Sequence, residues 1–85
     1  MQKVEIYTGP FCGFCVAAKR LLKGKGVEFT EISIGQDPAK RQEMMSRSNG
    51  GHTVPQIFIG DKHVGGCDEL YALQGAGKLD AMLAG

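Results

Sequence analysis

Tryptophan is missing from this sequence, and so is any surplus of charge: ten basic residues face nine acidic ones, a formal +1 at pH 7 with histidine neutral. That balance excludes the global field that draws a protein to nucleic acid or anionic lipid. No apolar run approaches the roughly 18 residues of a membrane span. Met1 leads at once into a strand-like pattern, without the basic region and apolar stretch of a signal peptide. The expectation is a soluble, cytoplasmic protein with no nucleic acid and no membrane as partner. Cysteine is scarce: three residues are too few, and odd in number, for a secreted scaffold stapled by disulfides. Repeats, linkers and low-complexity segments are absent. What remains is one small domain over residues 1–85. A chain this short buries only about 60–65% of its unfolded surface, so the core is thin. Leu, Ile, Val and Phe still account for twenty of the 85 residues, enough to fold. Glycine is the one excess, at thirteen.

Along the chain, Gln2–Thr8 alternates Val4 and Ile6 with Lys3, Glu5 and Tyr7, a strand with one apolar face, until Gly9-Pro10 breaks it. Gly13–Lys23 places Ala17/Leu21 and Ala18/Leu22 at i, i+4, a helix that Gly24 should stop. Val27–Ile34 has the β-branched and aromatic content of a strand, although its alternation fails between Phe29 and Ile32. Asp37-Pro38 reads as an N-cap followed by proline in the first helical position. That helix should end near Asn49-Gly50-Gly51, with Ala39, Met44 and Met45 as a narrow apolar face. Gln56–Ile59 and Lys62–Val64 flank Gly60-Asp61, a two-residue hairpin signal. Asp68 can cap a helix carrying Leu70, Tyr71 and Leu73; Gly75 and Gly77 interrupt it, and Leu79, Met82 and Leu83 form a last amphipathic turn. The order β-α-β-α-β-β-α-α predicts an α/β fold, a four-stranded mixed sheet flanked by helices.

Cys12 and Cys15 form a C-x-x-C pair at the first strand-to-helix junction. Unpaired amides and the helix dipole present positive potential there, which stabilises a thiolate at Cys12. Cysteines in such settings have pKa values of roughly 3.5–7.5, against about 8.5 when free. Cys15, one turn in and more shielded, suits the resolving thiol: one sulfur attacks a disulfide and the second releases it. A zinc site would need four ligands, and only Cys67, His52 and His63 remain, widely spaced; the two histidines read as solvated.

Val4-Glu5-Ile6-Tyr7-Thr8, Cys12-Gly13-Phe14-Cys15, Thr53-Val54-Pro55-Gln56-Ile57-Phe58-Ile59 and Gly65-Gly66-Cys67-Asp68-Glu69-Leu70-Tyr71-Ala72-Leu73 follow one another at compatible spacing. Together they resemble the glutaredoxin family over nearly the whole chain, and within it the small bacterial glutaredoxin 3 type. The resemblance implies a thioredoxin-like fold and a glutathione-dependent thiol–disulfide oxidoreductase of cell redox homeostasis. Its partners would be glutathione and disulfide-containing or glutathionylated proteins, its state a monomer. No organic cofactor is required, and glutathione serves as co-substrate. It further implies that Pro55 is cis and that the Val54 backbone pairs with the cysteine residue of glutathione. Phe14 and Thr53 would line the same groove. Gly66, Cys67 and Asp68 would close its far side, amides holding a carboxylate and Asp68 an ammonium. Cys67 reads as a packed residue rather than a third redox centre.

Two departures stand out. Glutaredoxins commonly carry a Lys ahead of the active cysteine, where this chain has Gly9-Pro10-Phe11, so basic help would fall to Lys19, Arg20 or the second helix, where Arg41 and Gln42 are candidates. Gly13-Phe14 replaces the Pro-Tyr usual in dithiol relatives, and Cys-Gly-Phe also opens the signature of monothiol members that carry a [2Fe–2S] cluster between two subunits. A cluster-binding carrier, dimeric and ligated by Cys12, is therefore the alternative function, with no other metal site expected. A thioredoxin-like enzyme served by its own reductase is disfavoured by the missing tryptophan.

Overall fold

The computed structural model describes residues 2–85. In chain order it comprises β1 (Val4–Thr8), α1 (Gly13–Gly24), β2 (Thr30–Ser33), α2 (Pro38–Arg47), β3 (Gln56–Ile59), β4 (Lys62–Gly65), α3 (Cys67–Gly75) and α4 (Leu79–Ala84). The strands make one sheet in the order β2-β1-β3-β4. β1 runs parallel to β2 and antiparallel to β3, and the β3–β4 hairpin turns through Gly60 at φ 60°. The element order and the mixed sheet are those predicted from the sequence.

Both faces of the two central strands are covered. Val4, Ile6, Ile57 and Ile59 pack with Ala18 and Leu22 of α1, Leu70 of α3, and Leu79 and Leu83 of α4. On the other face Tyr7 and Phe58 meet Met44 of α2 and Ile34, which follows β2. The expectation that Tyr7 belongs to a polar face is thus overturned, for its ring is fully buried. Tyrosine reads as polar in an alternation count, but α2 supplies the partners its hydroxyl needs. That hydroxyl donates to Glu43 at 2.5 Å and accepts from Arg47 at 2.9 Å. Arg47 in turn pairs with Glu5 at 3.0 Å and lies 4.1 Å above the Phe58 ring. A helix with a narrow apolar face is tied to the sheet by this network.

The Tyr7 hydroxyl holds the Glu43 carboxyl below its usual range, with Lys40 and Arg47 assisting. Thr8 and then Lys19 do the same for Glu31. A carboxyl depressed in the folded state stabilises it above the unfolded pKa of about 4.3, and that contribution is lost as pH falls through the folded value. Tyr7→Phe is expected to flatten the acid limb of stability. Between pH 6 and 3 its melting temperature should fall less than that of the parent chain, and parallel curves would refute the assignment.

Element ends differ from the sequence expectations in instructive ways. Gly24 does not stop α1. The helix runs through it to a Lys25 C-cap, and Gly26, at φ 72°, takes the left-handed position. Gly26 N–H reaches Lys23 O and Val27 N–H reaches Leu22 O, a Schellman closure that draws Val27 into the core beside Leu22. Val27 is therefore a helix stop and not a strand residue, which shortens β2 to Thr30–Ser33. As an edge strand, β2 has only Ile32 half-buried. Asp37 caps α2 as expected, accepting from Lys40 N–H at 3.1 Å. Ala39 does not join its apolar face and is exposed. The helix ends at Arg47, and Asn49 and Gly50 follow at φ 58° and 96°.

Candidate active site

The site lies beyond the carboxyl end of β1, where the chain must turn back to start α1. Cys12 is the N-cap of that helix, in extended conformation. Its sulfur accepts the Cys15 N–H at 3.1 Å, as a serine or aspartate cap would. The same sulfur lies 3.6 Å from the carbonyl oxygen of Val54. Cys12 and Cys15 are joined in a disulfide, their Cα atoms 5.2 Å apart. Cys12 is half-buried whereas Cys15 is 3% exposed, so an incoming disulfide can reach only the former. α1 has no acidic residue in its first turn to oppose a thiolate.

The loop ahead of Cys12 is tightly placed. A Cβ on Gly9 would stand 3.2 Å from Cγ2 of Val54, so this close approach suits glycine, and any side chain there must displace Val54. Phe11 has φ 54° and a ring fully open to solvent. That left-handed conformation costs a residue with a Cβ about 1–2 kcal/mol. Gly13, by contrast, has open space where a Cβ would be. It supplies an N–H rather than room.

Val54–Pro55 is a cis peptide bond. It forms one wall of a groove of about 320 Å³ lined by Phe14, Thr53, Val54, Pro55, Gly66, Cys67, Asp68 and Glu69. The seven groove residues named from the sequence thus share one groove. Glu69 is the residue that the sequence reading missed. Its carboxylate accepts the Gly66 N–H at 2.7 Å and orders the entry to α3. An acid three residues after a helix cap is a known start signal, and Gly66-Cys67-Asp68-Glu69 carries it. Asp68 is consequently not the cap. Gly66 is the N-cap, and Asp68 sits in the first turn, exposed and without a hydrogen bond among the described residues. The early amides of α3 have no intrahelical acceptor and present positive potential toward the groove. Cys67 is buried in the core beside Leu70, and burial, then the charges of Asp68 and Glu69, push its thiol up. It packs as a core residue.

The basic candidates stand outside the groove lining. Lys19 is paired with Glu31 at 3.1 Å, and Arg41 reaches the His52 carbonyl at 3.4 Å. Neither these nor Arg20 and Gln42 line the groove. His63 is more than a solvated histidine: it shares a 2.6 Å hydrogen bond with Gln56 and stacks on Phe58 at 4.9 Å. No three His, Cys, Asp or Glu side chains among the described residues converge on a common point as a metal site requires. Among the same residues no helix is long and apolar enough to cross a membrane.

The chain is similar to known proteins. A family model described as glutaredoxin matches residues 4–64. Glutaredoxin 3 of Escherichia coli is 55% identical over 83 residues, covering 98% of this chain and 99% of that protein. A solution structure of glutaredoxin from Brucella melitensis superposes with a TM-score of 0.85 at 55% identity, over 98% of this chain and 89% of the other. A buckwheat glutaredoxin–glutathione complex does so with a TM-score of 0.87 at 31% identity, over 98% and 77%.

Proposed function

The chain belongs to the glutaredoxin family, with its thioredoxin-like fold, and from that premise we propose how its residues divide the work of a glutathione-dependent thiol–disulfide oxidoreductase. Cys12 is the nucleophile. The observation that carries this is the position of its sulfur, which receives the Cys15 amide while touching the Val54 wall of the groove. Its thiolate attacks the glutathione sulfur of a protein–glutathione mixed disulfide. A new bond joins Cys12 to glutathione, the old S–S bond breaks, and the leaving protein thiolate takes a proton from water. A second glutathione then attacks the Cys12 adduct, releasing glutathione disulfide and restoring the thiolate. On a protein disulfide, Cys15 resolves the adduct instead, and two glutathiones later reduce the Cys12–Cys15 pair. Relatives poised at roughly −200 to −230 mV sit where a cytosolic glutathione pool can drive this.

Glutathione lies along the groove. Val54 backbone groups pair with its cysteine residue, Phe14, Thr53 and Pro55 flank it, and the far end meets Gly66, Cys67 and Asp68. The α3 amides take the γ-glutamyl carboxylate and Asp68 the ammonium beside it. The 31%-identical buckwheat relative, solved as a glutathione complex, supports glutathione as the ligand. Residues 1–85 act as one domain and as a cytoplasmic monomer, with glutathione the only small molecule needed. To a [2Fe–2S] cluster the chain would bring one thiolate, Cys12, and the other three ligands would come from glutathione thiols and a second copy. Such a cluster would supply cluster or electron transfer. The disulfide reaction, unlike the cluster, also gives Cys15 a task.

Brief treatment of the reduced protein with glutathione disulfide, quenched and mapped by mass spectrometry, should show a single glutathione on Cys12. With time it should give way to the Cys12–Cys15 disulfide while Cys67 stays unmodified. A first adduct on Cys15 or Cys67 would overturn the assignment.

A further inference from the structure

Phe11 combines two unfavourable features with no return inside the fold. Its backbone sits at φ 54°, where a bulky residue is a genuine outlier, and its ring is fully exposed. Glycine would take the same conformation freely. Strain of this kind persists beside functional sites when it serves what binds there.

Phe11 lines a second concavity of about 640 Å³, together with Pro10, Cys12, Phe14, Ala17 and Val54. Phe14 and Val54 also line the glutathione groove, so they form the wall between the two, with the Cys12 sulfur at the seam. No charged side chain lines this second surface. Phe14, 66% exposed, continues it.

We propose that Phe11 is a specificity-determining residue and that this second surface docks the polypeptide of a protein disulfide, favouring an apolar side chain next to its reactive cysteine. The inference rests on the function proposed above. Its occupant follows from connectivity. When the Cys12 thiolate attacks a protein disulfide, a bond forms between Cys12 and one substrate cysteine, and the other sulfur leaves as a thiolate that takes a proton from water. The residues flanking the bonded cysteine are then held within a few ångströms of the seam. Cys15 next loses its proton and attacks Cys12. The pair is oxidised to its disulfide, and the substrate departs with two electrons as a dithiol. Glutathione itself has only glutamate and glycine around its cysteine, nothing apolar to lay against an aromatic ring. Phe11 therefore separates polypeptide disulfides from glutathione mixed disulfides. Covering even half of a phenylalanine ring is enough, by the usual area relation less ordering costs, for a rate preference of about tenfold.

The test compares kcat/KM on two disulfide-bonded peptides of equal length, with Leu or Ser beside the cysteine, and on the mixed disulfide of cysteine and glutathione. The parent chain should prefer the Leu peptide about tenfold. In Phe11→Gly that preference should collapse to within about twofold, and the ratio of Leu-peptide to mixed-disulfide reactivity should fall about tenfold. Phe11→Tyr, which keeps the ring, should preserve both. Relief of the left-handed strain should raise the melting temperature of Phe11→Gly, so a misfolded variant cannot mimic the effect. An unchanged Leu preference in Phe11→Gly overturns the proposal, as does an equal loss on all three substrates, which would mean that Phe11 acts by shaping Cys12. A parent chain inert toward the mixed disulfide would instead overturn the function itself, and this inference with it.

Discussion

Cys12→Ser should abolish turnover of protein–glutathione mixed disulfides, a loss on the order of a thousandfold or more, while Cys15→Ser retains most of it. The asymmetry comes from geometry. The Cys12 sulfur occupies the cap of α1, receives an amide hydrogen bond and faces the groove wall, whereas Cys15 is buried beneath it. A serine at 12 keeps the cap but leaves a hydroxyl whose pKa is far too high for the exchange, since only the thiolate attacks. Removing Cys15 leaves the nucleophile intact, because a second glutathione can resolve the adduct. On protein disulfides the order of effects changes. Cys15→Ser should there accumulate a mixed disulfide with the substrate and lose most of its rate, because nothing inside the molecule then releases it. Coupled assays on one glutathionylated and one disulfide-bonded protein measure both. An active Cys12→Ser together with a dead Cys15→Ser on the glutathionylated substrate would reverse the roles assigned here.

Much of this site was legible before any coordinate, and the residues show why. C-x-x-C at a strand-to-helix junction, Asp37-Pro38 and Gly60-Asp61 are local signals, and local signals survive into the fold because few tertiary contacts compete with them. Where a helix end depends on packing, it shifts by two residues from the local signal. Gly24 is the stop expected from the sequence, and Gly26 takes that place because ending there lets Val27 reach the core beside Leu22. Asp68 is the cap expected from the sequence, and Gly66 takes that place, its amide held by the Glu69 carboxylate. Alternation sets Tyr7 among the polar residues because it marks one buried face and says nothing of a second helix layer. The cis peptide at Pro55 was not readable from composition or periodicity at all; it came with the family resemblance. Strain at Phe11 was invisible for a similar reason, since phenylalanine gives no hint of a positive φ.

The corrected place of Asp68 makes its charge testable on its own. Were it the N-cap, replacing it would fray α3 and confound binding with folding. Gly66 is the cap, however, and Asp68 is exposed in the first turn, where its carboxylate adds only the helix-dipole term of about 0.3–1 kcal/mol. Asp68→Asn should therefore leave the melting temperature nearly unchanged. If the carboxylate pairs with the ammonium of glutathione, losing that charge removes a charge-assisted hydrogen bond worth about 1.5–3 kcal/mol, or roughly ten- to a hundredfold in affinity. The ammonium lies far from the exchanging sulfurs, so the interaction is the same in ground and transition states. KM for the glutathione mixed disulfide should rise by that factor with kcat held. Salt gives an independent readout. Between exposed charges the attraction is screened over about 8–10 Å at physiological ionic strength, so the parent KM should climb with added salt and that of Asp68→Asn should climb much less. Asp68 also helps to push the buried Cys67 thiol up. Repeating the comparison with Cys67→Ala in both proteins removes that second consequence. A KM within about twofold of the parent, with the same dependence on salt, would place the ammonium elsewhere and leave Asp68 a first-turn acid and nothing more.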